Sequence, residues 1–75
     1  MIDTPTLYVL DRLPRRPDSF SLDDVAAALR QVRGLGVAGA DEATPTAILD
    51  ALMRDEIVSA TLGGRYVVHD DARPL

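Results

Sequence analysis

Apolar positions recur along this chain in two rhythms, a helical one as far as about residue 54 and a β-like one after it. In "FSLDDVAAALRQVRG", residues 20–34, Val25, Ala26, Leu29 and Val32 repeat at helical spacing. Ser21 ahead of them is placed as an N-cap, and Asp24 three residues on completes a capping box. Phe20 before the cap and Val25 at the fourth helical position have the spacing of a hydrophobic staple, and Gly34 supplies the stop. By contrast, "IVSATL" and "RYVVH" are β-rich runs joined through Gly63 and Gly64, which predicts a hairpin with a two-residue turn.

Two more helices share one start device, Thr-Pro-Thr. In "TPTLYVLDRL", residues 4–13, Thr4 is placed as N-cap and Pro5 at the first helical position, where its missing N–H does no harm. Leu7, Val9, Leu10 and Leu13 leave little of this helix polar, so it is either core or an apolar face offered to a partner. Pro14 and Pro17 in "PRRPD" end it. Residues 44–55 restart at Thr44 and Pro45. Placed at 100° steps, Ile48, Leu49, Leu52 and Met53 form an inner arc, and Thr46, Ala47, Asp50 and Arg54 an outer one.

The stretch between them, "GLGVAGADEA", reads as a flexible loop. Gly34, Gly36 and Gly39 do stand in G-x-G-x-x-G register. That fingerprint carries dinucleotide chemistry only after a strand and directly before a helix. Here it follows a helix, in a chain too short for such a unit. Residues 69–75 read as a loose tail.

Composition narrows the function classes. Seventy-five residues, 47% of them hydrophobic, make a single domain over 1–75 with a modest core. With no cysteine, thiolate metal sites and cysteine catalysis drop out. No apolar run approaches a membrane span, and the start of the chain lacks the pattern of a signal peptide, so a soluble cytoplasmic protein without membrane contact is expected. His69 is the sole histidine, followed by Asp70 and Asp71. Neither a metal site nor a nucleophilic triad is readable, so no enzyme, metal or cofactor is expected. The net charge of −4, with eight cations that are all arginine, sits awkwardly with phosphate binding.

The order helix, short "SFS" segment, helix, loop, helix, hairpin resembles the winged helix-turn-helix family. The likeness is carried by "FSLDDVAAAL", "TPTAILDALMRDEIV" and "SATLGGRYVV" and, with the first helix, covers residues 4–69. It implies an α+β fold, a small winged helix of three helices plus a C-terminal β-hairpin wing, with room for a short strand at 19–21. The spacing departs from the family's usual short turn, since about ten residues separate Arg33 from Thr44.

The resemblance also implies double-stranded DNA as partner and a role in transcription regulation, with helix 44–55 in the major groove and wing 57–69 alongside. Thr44, Thr46, Ala47, Asp50, Arg54 and Arg65 would then face DNA, and Arg15 and Arg16 would add phosphate contacts if they fold next to Arg65. Winged helices also serve as protein-docking modules, where acidity is no handicap. On that alternative the apolar helix 5–13 docks a protein partner or a second copy through Leu7, Tyr8, Val9 and Leu10.

Overall fold

The structure is a computed structural model that describes residues 2–15 and 17–69. Three helices precede an antiparallel hairpin: α1 (Thr4–Arg12), α2 (Leu22–Gly34), α3 (Pro45–Arg54), β1 (Val58–Ala60) and β2 (Tyr66–Val68). This is the α+β layout of a winged helix. Val58 pairs with Val68, Ser59 with Val67 and Ala60 with Tyr66. The short segment before α2 joins the hairpin through one residue, because Phe20 and Tyr66 exchange both backbone hydrogen bonds at 2.8 Å. Their rings lie 5.9 Å apart. A strand at 19–21 is thus realised as a single bridge.

The capping box at the start of α2 forms as the spacing predicts. Ser21 Oγ accepts from the Asp24 N–H, and Asp24 Oδ2 accepts from the Ser21 N–H at 2.9 Å. Phe20 and Val25 are both fully buried, as a staple requires. Between the helices and the hairpin lies one core, in which Val9, Phe20, Leu29, Val32, Leu52 and Val68 are almost completely enclosed.

Several local expectations are corrected. Asp3, not Thr4, caps α1; its Oδ1 accepts from the Thr6 N–H at 3.0 Å. An aspartate one residue earlier supplies the acceptor and moves Pro5 further into the first turn. On α2 the buried alanine is Ala28, whereas Ala26 is half-buried. Gly34 remains helical, and the left-handed turn comes at Gly36, where φ is +75°. On α3 Met53 is exposed rather than part of the inner arc, because Ile48, Leu49 and Leu52 already fill the face towards α2. The hairpin turn holds three residues, Leu62–Gly64, closed by the Thr61 N–H on the Arg65 carbonyl at 2.7 Å. Gly63 and Gly64 both take left-handed backbone, so the glycines serve as anticipated in a longer loop. Of the tail, His69 extends the ladder by donating its N–H to the Ile57 carbonyl; residues 70–75 lie outside the described residues.

The loop between α2 and α3 is tied down, not flexible. Arg33 donates from Nε to the Ala40 carbonyl at 3.0 Å and from Nη2 to the Ala43 carbonyl at 2.7 Å. Ala40 is buried, and Gly39 passes so close to α1 that a Cβ would stand 3.2 Å from Pro5 Cγ. A loop of this length is tolerated because a cation from the preceding helix satisfies its carbonyls.

Candidate functional site

The α3 face predicted from periodicity is presented to solvent. Thr44, Thr46, Ala47, Asp50 and Arg54 are all exposed. Thr44 Oγ1 accepts from the Ala47 N–H at 3.2 Å, so this hydroxyl works first as the helix cap. Arg54 forms an i,i+4 ion pair with Asp50 on the outer arc. Asp41 and Glu42 before the helix and Asp55 and Glu56 after it are exposed as well, so carboxylates flank α3 at both ends.

On the wing, Arg65 is also engaged. Its Nε donates to Ser19 Oγ and its Nη2 to the Ser19 carbonyl, each at 2.9 Å. Ser19 carried no signal in the sequence, being an ordinary polar residue before the staple. The wing tip bears no cation but an apolar side chain, Leu62, which is 94% exposed. Arg15 is exposed and falls in a groove of about 400 Å³ with Leu7, Tyr8, Leu10 and Asp11, on the α1 side of the molecule. Arg16 lies outside the described residues.

On α1 the four interface candidates divide. Val9 is fully buried, which removes it as a surface contact, and Leu10 is nearly so, showing only an edge to the groove. Leu7 and Tyr8 point outward, 54% and 41% exposed. The helix is apolar nearly all round, so one arc serves the core and the remainder stands free.

At the end of α3 the chain reverses through a Schellman arrangement. The Ile57 N–H bonds the Leu52 carbonyl at 2.9 Å and the Glu56 N–H bonds the Met53 carbonyl at 3.0 Å, with Glu56 left-handed at φ +62°. Among the described residues, no three His, Asp or Glu side chains converge as metal ligands. No helix of the described residues is long and apolar enough to cross a membrane. Compared with protein-family models, curated proteins and solved structures, the chain finds no match.

Proposed function

We propose that this chain is a winged-helix protein-docking module of the cytoplasm, presenting the Leu7–Tyr8 side of α1 to a protein partner. The observation that carries the reading is the engagement of Arg54 and Arg65, the two cations a DNA-binding version would use. Arg54 sits on Asp50, Arg65 holds Ser19, and the wing tip offers Leu62. Phosphate binding draws its affinity from free cations. A surface flanked by Asp41, Glu42, Asp55 and Glu56, on a chain of net charge −4, repels a polyanion instead. Exposed Leu7 and Tyr8 beside a groove with Arg15 and Asp11 match the apolar centre and polar rim of protein interfaces.

A photo-crosslinking amino acid placed at Leu7 tests this in the cell. One discrete adduct is expected, absent when the probe stands at exposed Arg30. Identical products from both positions would overturn the reading.

A second reading, DNA recognition and transcription regulation, draws on one observation. The Asp50–Arg54 pair is highly exposed, and such i,i+4 pairs contribute only about 0.3–0.5 kcal/mol, so a phosphate or guanine could displace Asp50 cheaply. Titration with a mixed-sequence duplex at low salt, followed by amide NMR, separates the two. Salt-sensitive shifts at 44–54 and 61–66 would favour DNA, and a silent spectrum the docking module.

A further inference from the structure

The outward residues of α1 form one stripe. Thr4, Leu7, Tyr8, Asp11 and Arg12 are exposed and follow helical spacing, with Leu7 and Tyr8 at the centre. Charge is divided along it. The N-terminal end carries the exposed cap residue Asp3, and the C-terminal end carries Asp11 with Arg12 and Arg15. One carboxylate makes the first end negative, and two guanidinium groups against one carboxylate make the second positive. Residues 2–15 hold two aspartates and two arginines and sum to zero, whereas the chain carries −4. The negative surplus therefore lies on other parts of the molecule.

A two-fold axis crossing α1 between Leu7 and Tyr8 maps this stripe onto itself with its ends exchanged. Leu7 then meets Tyr8 of a second copy, Thr4 meets its Asp11, and Asp3 meets its Arg12. We propose that the α1 surface is occupied by a second copy of this chain, the two helices antiparallel. The inference rests on the docking reading above and names its partner. An isologous contact requires a surface complementary to itself, and the opposed ends of this stripe supply one. A parallel pair would set cation on cation and oppose the two helix dipoles; the antiparallel pair aligns both favourably, with Asp11 over the first turn of the facing helix. Arg12 spends one N–H on the Tyr8 carbonyl at 3.3 Å, and its remaining donors are available to Asp3 of the second copy. The groove beside Leu7 and Leu10 gives the second copy's Tyr8 room. A nine-residue helix is about 14 Å long and falls short of the roughly 800 Å² per partner of a standard interface, so the dimer is a weak one.

The test is sedimentation equilibrium of the whole chain from micromolar to millimolar protein. A monomer–dimer equilibrium is expected, abolished by Leu7→Asp. Arg12→Gln removes the cation, keeps a good helix former, and should weaken the dimer several-fold; it decides alone if Leu7→Asp unfolds. The chain has no cysteine, so Thr4→Cys and Asp11→Cys proteins, mixed and mildly oxidised, report the direction of the pair. Mixed disulfides between the two variants should form well above the share that random pairing gives. A dimer that persists in Leu7→Asp or is unaltered by Arg12→Gln would overturn the proposal, as would a predominance of the two like-with-like disulfides. A monomer at every concentration would overturn the second copy as occupant. The crosslinker at Leu7 then separates the two readings: an adduct with a different protein keeps the docking surface with another partner, and products identical to those from Arg30 remove the docking reading as well.

Discussion

Arg65 and Ser19, 46 residues apart, are joined by two hydrogen bonds of 2.9 Å that lace the wing to the segment entering α2. The contact reinforces the adjoining Phe20–Tyr66 bridge and holds the hairpin over the core. A side chain with the spacing of a DNA contact thus has a structural occupation. Arg65→Ala should lower stability by about 0.5–1.5 kcal/mol, the usual worth of such bonds. Arg65→Lys should recover only part, because an ammonium lacks the guanidinium fork. Urea unfolding midpoints measure both, and an unchanged midpoint for Arg65→Ala would return the side chain to the list of free cations.

Glu56 occupies the left-handed position that ends α3, where glycine is the natural residue. It is exposed, so its replacement disturbs no packing. Glu56→Gly should therefore stabilise the chain by about 1 kcal/mol, raising the melting temperature by roughly 4–8 °C. A lower melting temperature would mean that the glutamate side chain contributes more than its backbone costs.

Leu7 and Leu52 separate surface from core. Leu52 is fully enclosed, and Leu52→Ala should cost about 2–5 kcal/mol, enough to unfold much of a domain this small. Leu7→Asp should leave the circular dichroism and melting curve nearly unchanged while abolishing partner binding. Unfolding on Leu7→Asp would show that this side of α1 belongs to the core.

Asp3 links stability to pH. Hydrogen bonds from the Thr6 side chain and then from its backbone N–H hold the Asp3 carboxyl below its ordinary value. With a folded-state pKa depressed below the unfolded one, the contribution is fully present above the usual carboxylate range. It is lost as the pH falls through the folded value. Asp3→Ala should cost about 0.5–2 kcal/mol at neutral pH. Asp3→Asn, which caps without titrating, should flatten the acid limb of the stability curve. An identical acid limb in Asp3→Asn would assign that dependence to other carboxylates.

Arg33 and Gly39 fix the long loop. Arg33→Ala leaves the Ala43 carbonyl without its Arg33 donor and the Ala40 carbonyl with the Ala43 N–H alone, and should cost about 1–2 kcal/mol. Gly39→Ala combines φ +85° with a 3.2 Å approach to Pro5 and should also destabilise. Hydrogen exchange across 35–44 would show the loop loosening in both variants; unchanged protection would mean that packing of Ala40 alone holds it.

Local chemistry determined much of this molecule. Ser21 with Asp24, Phe20 with Val25, Thr44 with Pro45, and Gly63 with Gly64 each act within a few residues, so their spacing alone reveals the second and third helix starts and the hairpin. The outer arc of α3 was legible for the same reason, a 100° step applied to a helix with one strong apolar face. Tertiary structure decided what local rules leave degenerate. A helix apolar nearly all round does not say which side is core, and only packing against the other helices buried Val9 and Leu10 and left Leu7 and Tyr8 outside. Nor does an arginine announce its acceptor: Arg65 reaches back to Ser19 and Arg33 reaches the loop carbonyls, whereas Arg54 on Asp50 and Arg12 on the Tyr8 carbonyl stay within a helical turn.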